Sequence, residues 1–424
     1  MKRNKVVAML GLGLVASLAG CSNINEYPNQ EQSIQVENTD NSKETNNTEG
    51  LDKNTEELKM THLEKTAIMA DKLSRDGANL LYSPMSLDMA LGLVAEGSEG
   101  NSREQLNNYL LTDNYSEKTK NYLEFITSIN DDTNTLEIAN SIWLNKTCEL
   151  NEAYATIVKD SFEATAENLD FVNDSFGAAN TINSWINDKT HGLINEAIAP
   201  SNISADTKSI LVNSLYFNSI WREEWDTDEN RKLEFSNEDG STSELVALYG
   251  NVDCYFENDK ATAFGKLYDN GMMFIGILPK EIGDFTITEL NLDTLIESID
   301  YSPEVYAEMM KLEYEYEASN ITEALKELGV TDIFGSDAQI TKLLKSSEET
   351  DSLYVNNILQ KCKIILDEKK TEAAATTVVI MANGIAMPSE KEYKEVILNR
   401  PYAYMIYDTV NNETIFIGKY VNAQ

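Results

Sequence analysis

The sequence predicts one large α+β domain that follows an export signal and a polar linker. Three observations support this fold class. Strand-like and helix-like apolar patterns alternate irregularly from about residue 59 to the C-terminus. Neither a Pro/Gly-rich break nor an internal repeat divides that stretch. The chain has 424 residues, 42% of them hydrophobic, which is enough to bury a core without disulfides or metals. We therefore expect a single domain over residues 59–424.

Charge and residue usage exclude several classes of function. Lys and Arg total 34 against 71 Asp and Glu, so the net charge is −37, and nucleic-acid phosphates would be repelled. The only histidines are His62 and His191, which leaves little room for His-rich metal sites or Ser-His and Cys-His catalysis. The four cysteines lack metal-ligand spacing. We expect no cofactor, no metal site and no enzymatic activity.

The N-terminus has the features of an export signal. Lys2, Arg3 and Lys5 precede an apolar run over residues 6–18, which is too short to span a bilayer as a mature helix. Small residues then lead into Cys21, and the whole segment resembles a bacterial lipoprotein signal. That resemblance implies removal of residues 1–20, acylation of Cys21 and a lipid-anchored protein on the outer or periplasmic face of the cell envelope. An ordinary secretory peptide with an incidental Cys21 is the alternative.

The segment after Cys21 is predicted to be a tether. Residues 22–58 are acidic and rich in Asn, Glu, Thr and Ser, with almost no apolar side chain to bury. Such a composition favours disorder. We assign residues 21–58 to the acylated cysteine and this linker.

The first elements of the domain surround a Ser-Pro pair. Residues 80–82 indicate a strand end, and Ser83 followed by Pro84 is typical of a helix N-cap and first turn. Leu87, Leu91 and Val94 follow at helical spacing, with methionines between them. A largely buried helix is therefore expected from Pro84.

Later segments predict further strands and one more helix. Residues 211–217 and 272–278 are β-rich and apolar, and Pro279 ends the second run. Residues 321–328 are helical in pattern, with Gly329 as C-cap. Near the C-terminus, Asn411-Asn412 predicts a hairpin turn between two apolar runs. These runs cover residues 402–407 and 414–421.

One segment near the C-terminus is unusual for a loop. Residues 371–379 are small and β-branched, with no Pro or Gly and one charge. As a strand, they would direct four Ala or Thr side chains and Val379 to one face. Side chains this small could slip between strands already in place. From the residues alone, a strand that is buried from the start is the favoured interpretation.

Several stretches resemble the serpin family, in the order in which that family has them. They are Asn79 to Leu87, Thr181 to Ile194, Leu211 to Phe217 with Trp221, Asp367 to Thr377, Asn399-Arg400-Pro401 and Ile415 to Lys419. The resemblance implies a serpin fold with a large central sheet, additional sheets, about eight or nine helices and an exposed reactive loop. It also implies inhibition of serine proteases by a metastable protein, which traps the acyl-enzyme when its cleaved loop inserts into the central sheet.

The resemblance further implies roles for individual residues. Positions where the central strands part or insertion begins are Asn79, Ser83, Ser86, Asn213, Gln360 and Trp221. Core packing and capping are the simpler roles for these residues, and both roles are compatible. The hinge of the loop comprises Glu368, Lys370, Thr371, Glu372, Ala373, Ala374, Ala375, Thr376 and Thr377.

Two of these positions depart from the family pattern. Lys370 stands where the family usually has Gly, which tolerates backbone angles that Lys resists. Slow insertion would let the protease escape and make the chain a substrate. Gln360 stands where a histidine is usual, and its amide can still donate and accept hydrogen bonds.

The family spacing places the scissile bond at Gly384-Ile385, with Met381, Ile385 and Ala386 as alternatives if the register differs. Residues 371–389 contain no Lys, Arg, Phe, Tyr or Trp. Proteases with an acidic or a deep aromatic specificity pocket would find nothing to bind there. The expected partners are elastase-like or subtilisin-like serine proteases, and a monomer is expected. The alternatives are a non-inhibitory surface binding protein on the same fold and a serpin that acts mainly as a protease substrate.

Overall fold

The computed structural model describes residues 60–204, 206–345, 353–356, 358–369 and 392–423. Within these ranges the chain forms eight α-helices and three β-sheets, which confirms the predicted α+β fold. Cys21, the linker, the hinge from Lys370 onward and the predicted scissile bond lie outside them. No helix in these ranges is both long and apolar enough to cross a membrane.

The helices lie mainly in the first half of the domain. They are α1 His62–Leu73, α2 Pro84–Gly97, α3 Gly100–Leu110, α4 Tyr115–Ile129, α5 Glu152–Phe162, α6 Ser175–Lys189, α7 Leu292–Glu297 and α8 Ile321–Glu327. The predicted helix from Pro84 is confirmed as α2. The Ser83 side chain accepts a hydrogen bond from the Ser86 N–H, and nearly every residue of α2 is buried.

The strands form sheets of six, four and five strands. They are β1 Leu80–Tyr82, β2 Thr135–Asn145, β3 Thr165–Leu169, β4 Ser209–Asn218, β5 Asp226–Ser236, β6 Thr242–Val252, β7 Cys254–Glu257, β8 Ala261–Leu267, β9 Met272–Pro279, β10 Glu304–Met310, β11 Leu312–Ala318, β12 Ile358–Leu366, β13 Tyr393–Ile397, β14 Tyr402–Asp408 and β15 Glu413–Tyr420.

The six-stranded sheet is antiparallel, in the order β1-β15-β14-β9-β8-β7, and holds much of the core. Every residue of β14 is buried. The predicted hairpin is confirmed as β14 and β15, and Asn412 has the left-handed φ of 57° that its turn requires. Gly329 likewise follows α8 with a φ of 90°, a conformation that favours glycine.

The five-stranded sheet has the order β11-β12-β4-β2-β3, and the four-stranded sheet the order β13-β10-β6-β5. Side chains of β4 alternate between two cores. Leu211 joins the main core on the α2 side, whereas Ile210 packs with Trp143, Ile182 and Ile186 beneath α6. Helix α6 therefore covers the outer face of β2 and β4.

The described ranges contain three free cysteines. Cys254 and Cys362 are buried, and Cys148 is half-buried. Burial raises the pKa of Cys254 and of Cys362 to about 12, which keeps both thiols protonated and unreactive.

Candidate functional site

The candidate site is the seam between β4 and β12 in the middle of the five-stranded sheet. These parallel strands pair at only two positions, Ile358 with Leu211 and Leu359 with Val212. Beyond that point β12 continues to Leu366, but it forms no further backbone pairs with β4. On its other edge β12 pairs with β11 along the whole strand. The two central strands are thus joined at their first residues and separate above them.

A cavity of about 180 Å³ occupies the separated part of the seam. Tyr216 and Phe217 of β4 form one wall, and residues 363–367 form the other. Ile406 and Phe416 of the six-stranded sheet also line it. Backbone N–H and C=O groups along such facing edges need partners, and a chain laid between them in extended form would supply them. The geometry is that of a slot for one more strand.

A buried cluster joins α2 to β12 beside the paired end of the seam. Gln360 is 5% exposed, and its Oε1 accepts from the Ser83 N–H at 2.9 Å. Its Nε2 donates to the Ser83 carbonyl, also at 2.9 Å. The Ser83 hydroxyl donates to the Ile415 carbonyl at 2.7 Å and accepts from the Ser86 N–H. We call Ser83, Ser86 and Gln360 the shutter cluster, and the structure brings these three predicted residues together.

Asn213 lies on the other side of the seam, in β4. Its Nδ2 donates to the Oδ1 of Asn140 in β2 at 2.6 Å. The remaining amide atoms, Asn213 Oδ1 and Asn140 Nδ2, are buried and have no partner among the described residues, and the same holds for the Ser214 hydroxyl. Each buried polar group without a partner costs about 1–3 kcal/mol. The strand that borders the slot therefore carries a local energetic penalty.

The upper end of β12 is fastened by two tryptophans and a lysine. The indole Nε1 of Trp221 donates to the Asp367 carbonyl at 2.9 Å. The backbone N–H of Trp225 donates to the Glu368 carbonyl at 3.0 Å. Lys311 forms an ion pair with the Glu368 carboxylate. The hydrogen bond from Lys311 lowers the pKa of Glu368. We call Trp221, Trp225, Lys311 and Glu368 the upper clasp.

The loop after α6 crosses the outer face of the seam. Lys361 of β12 donates from Nζ to the Glu196 carbonyl at 3.0 Å and pairs with Glu315 at 2.9 Å. The His191 ring contacts the Tyr216 ring in a tilted arrangement with centroids 4.4 Å apart, and His191 Nε2 is 3.0 Å from Glu137 Oε2. Part of the α6 loop is therefore bonded to the strand that borders the slot.

Sequence reasoning located some of these residues and missed others. It selected Trp221 but not Trp225, although both tryptophans follow β4 closely and the second could have been noticed. It missed Lys311, Asn140 and Ser214, which carry no local signal. Asn79 lies apart from the shutter cluster: its Oδ1 accepts from the Val421 and Asn422 N–H groups at the C-terminal end of β15.

Neither histidine occupies a recognisable hydrolytic arrangement in the described residues. His62 begins α1, and burial, followed by the charge of Lys118, lowers its pKa. His191 lies in a turn with a φ of 50° and contacts Tyr216 and Glu137. Of the predicted hinge, only Glu368 falls within the part of the chain that the structure describes.

Comparison with known proteins identifies relatives of this arrangement. A model of the serpin (serine protease inhibitor) family matches residues 66–423. The chain is similar to an uncharacterised serpin-like protein of Methanosarcina acetivorans, with 30% identity over 82% of each chain. It is also similar to neuroserpin of Mus musculus, with 25% identity over 82% of this chain and 86% of the relative. The crystal structure of tengpin, a thermophilic serpin in the native state, aligns with a TM-score of 0.72 and 28% identity, covering 85% of this chain and 94% of that one.

Proposed function

The chain belongs to the serpin family, whose members are in general inhibitors of serine proteases. On that premise we propose that it is a suicide inhibitor of serine proteases that acts while anchored to the cell envelope. The observation that carries the proposal is the slot between β4 and β12, which is open along residues 363–367. The predicted hinge begins immediately after this stretch, at Glu368.

The proposed reaction starts as ordinary proteolysis. The protease serine attacks the carbonyl carbon of the scissile residue, the peptide bond breaks, and the new amine is left on the C-terminal fragment, which stays packed in the fold through β14 and β15. The N-terminal fragment stays bound to the serine as an ester. The freed segment after Glu368 then pairs with β4 and β12 as a new strand, which carries the protease away from its docking position and distorts its active site before water can hydrolyse the ester.

The available driving force is large enough for this step. About a dozen inserted residues, at about 0.5–1.5 kcal/mol net per hydrogen bond, contribute on the order of 10 kcal/mol. That equals the whole stability of a typical domain. Beside the slot, Asn140 Nδ2 and Asn213 Oδ1 are buried without a partner among the described residues, which supports a native sheet that has not reached its best arrangement. The lifetime of the uncleaved protein is then set by a kinetic barrier.

The target class follows from the composition of the loop segment. Residues 371–389 lack Lys, Arg and aromatic side chains, so elastase-like or subtilisin-like enzymes with shallow pockets are the proposed partners. A panel of proteases tests this point. Inhibition of trypsin-like enzymes faster than elastase-like enzymes would contradict it.

The anchor is proposed from the sequence alone. Mass spectrometry of the mature N-terminus should find a lipid on Cys21, and Cys21→Ser should release the protein from the membrane fraction. A matched Cys148→Ser variant should remain attached. An unmodified N-terminus at another residue would indicate simple secretion.

The mechanism itself is tested by incubation with an elastase-like protease. We expect a complex that resists SDS, cleavage at or near Gly384-Ile385 by mass spectrometry, and a large rise in the unfolding temperature of the cleaved protein. Ala375→Pro removes an N–H from the incoming strand and should convert the inhibitor into a substrate, whereas Ala375→Ser keeps that N–H and should remain inhibitory. Cleavage without complex and without a rise in unfolding temperature would favour a non-inhibitory binding protein.

Lys370 favours a second candidate, a chain that acts mainly as a substrate. Its side chain stands where the family usually has Gly, so insertion is expected to be slowed at the pivot. Lys370→Gly should lower the number of inhibitor molecules consumed per protease stopped. Lys369→Gly, one residue earlier, is the control and should leave that number closer to the parent value. An unchanged or higher number in Lys370→Gly would refute the role given to Lys370.

A further inference from the structure

We propose that the outer face of the four-stranded sheet is a second docking surface, which binds a cationic patch on the protease that attacks the loop. The proposal rests on the proposed inhibitory function and names a property of the partner that the loop alone does not specify. It is carried by an arrangement of tyrosines and glutamates on β10 and β13.

Two tyrosines and two glutamates alternate on this face. In the parallel pairing of β10 with β13, Tyr393 lies opposite Glu304 and Glu395 lies opposite Tyr306. Residues that are paired, or two apart along a strand, share one face of a sheet. Each carboxylate therefore has a tyrosine beside it across the ladder, and we call these four residues the Tyr-Glu face.

A third tyrosine extends the face toward β6. Tyr249 lies opposite Glu308, which is two residues beyond Tyr306 on the same side of β10. Tyr393, Tyr306 and Tyr249 thus form a diagonal across three strands. Tyrosine is enriched at protein interfaces because it buries a large ring and keeps a hydroxyl for hydrogen bonding.

Arg231 from β5 orders the far end of this diagonal. Its guanidinium lies 4.1 Å from the ring centroid of Tyr249, and Nη2 donates to the Tyr306 hydroxyl at 2.6 Å. The same side chain forms two hydrogen bonds of 3.1 Å with the Glu308 carboxylate. The rings of Tyr249 and Tyr306 are therefore held in place before any partner arrives, which reduces the entropy lost on binding.

The near end of the diagonal is open and negatively charged. The Tyr393 side chain is 61% exposed, and Glu304 and Glu395 are exposed as well. In contrast to Glu308, neither of these two carboxylates has an ion pair within the described ranges. A lysine or arginine of a partner could meet a carboxylate and the face of a ring together, which combines an ion pair with a cation–π contact.

Chain continuity and net charge select the occupant. Tyr393 follows Ile385 by eight residues, which span at most about 29 Å when fully extended, roughly the diameter of a small domain. A protease held at the predicted scissile bond would thus be within reach of the Tyr-Glu face. The net charge of −37 would also attract a cationic protein over a longer range.

The test compares two double variants of the full chain. Glu304→Gln with Glu395→Gln removes the carboxylates of the face, and Glu104→Gln with Glu124→Gln removes two exposed carboxylates on α3 and α4 as a matched control. The probes are an elastase of net positive charge and a subtilisin-type protease of net negative charge. Rate constants of complex formation, stoichiometries of inhibition and unfolding temperatures are measured at low and high salt.

The face variant should react about three- to tenfold more slowly with the cationic elastase at low salt, with unchanged stoichiometry, and the difference should fade at high salt. The control variant and the anionic protease should show much smaller changes. Tyr393→Ala should slow complex formation with the cationic elastase. Tyr393→Phe, which keeps the ring, should not slow it. Equal rates for the face and control variants, with normal complexes formed, would overturn the docking surface and leave the inhibitory function intact.

A second measurement separates the two proposals. Affinity for the same elastase with its catalytic serine replaced by alanine reports docking without reaction. If the parent chain forms no covalent complex and yet binds this inactive elastase through Glu304 and Glu395, the docking surface stands and the inhibitory mechanism falls. Equal affinity of the parent chain and of the Glu304→Gln, Glu395→Gln variant for the inactive elastase would overturn the docking surface.

Discussion

The six-stranded and the five-stranded sheets of this protein use their central strands in opposite ways. In the six-stranded sheet, β14 pairs along its length with β9 on one edge and β15 on the other, and all its residues are buried. In the five-stranded sheet, β12 pairs fully with β11 but at only two positions with β4. One sheet is complete, and the other has an open seam.

Buried polar atoms without a partner among the described residues occur in both regions, with the Tyr82 and Tyr402 hydroxyls in the complete sheet, so strand pairing is what separates the two regions. Phe274 and Tyr404 in the complete sheet stack at 5.7 Å within an apolar core. The seam is bordered by buried amides and hydroxyls, some of which have no partner among the described residues. We expect the complete sheet to supply stability, whereas the proposed insertion would gain further free energy from the open sheet. Each prediction below tests one side of that contrast.

The largest effect is expected in the complete sheet. Phe274→Ala should lower the free energy of unfolding by about 3–5 kcal/mol, because Phe274 is fully buried and packs against Phe264, Trp221 and Tyr404. Urea denaturation measures the change. Val410→Ala, at a hairpin tip with 69% exposure, is the control and should change stability by less than about 0.5 kcal/mol. A loss under 1 kcal/mol for Phe274→Ala would mean that this sheet is not the main source of stability.

The next effect concerns the shutter cluster. Gln360→Ala leaves the buried Ser83 N–H without its acceptor and should cost about 1–3 kcal/mol. Gln360→His offers one acceptor and one donor, so it should recover much of the loss. Thermal unfolding of both variants checks this. If alanine and histidine behave alike, the paired hydrogen bonds are not what fastens α2 to β12.

A stabilising substitution is expected beside the seam. Ser214→Ala removes a buried hydroxyl that has no partner among the described residues, and we expect a gain of about 0.5–1 kcal/mol. Ser141→Ala in β2 is the matched control, because the Ser141 hydroxyl donates to the Val212 carbonyl and accepts from Trp143 Nε1. That control should lose stability. A loss in Ser214→Ala as large as in the control would show that the hydroxyl is satisfied in solution.

The smallest effect is a pH dependence in the upper clasp. Lys311 lowers the pKa of Glu368 in the folded protein, so the carboxylate stabilises the fold above its ordinary pKa near 4.5, and this contribution is lost as the pH falls through the lowered value. Both side chains are partly exposed, so at most about 1 kcal/mol is expected. Stability of the parent and of Glu368→Gln, measured between pH 7 and pH 2, should differ at neutral pH and converge in acid. A constant difference at all pH values would contradict the ion-pair explanation.

The complete sheet was more predictable than the seam. Apolar runs predicted β9, β14 and β15, and Asn411-Asn412 predicted the hairpin between β14 and β15, because each of these signals is contained in one short stretch of sequence. The seam depends on contacts between distant segments. Glu368 was selected as part of the hinge, yet nothing local indicates that Lys311 is its partner, and Asn140 and Asn213 meet across strands that begin far apart in the chain.

Family resemblance supplied part of what local patterns could not. It selected Ser83, Ser86 and Gln360, whose contacts join α2, β12 and β15. It grouped Asn79 with them, whereas the structure places that side chain on the backbone of Val421 and Asn422. A side chain that caps a distant chain end gives the same sequence signal as one beside a seam.

The two paired positions at the start of the seam would have to separate before an added strand could advance past them. Between them and the end of β12 lie residues 360–366, which in extended form cover about 23 Å. A protease attached to the added strand could be displaced by about that distance before Ile358 and Leu359 would have to separate from β4. The proposed insertion is longer than this stretch, so it would have to separate these two backbone pairs before it is complete.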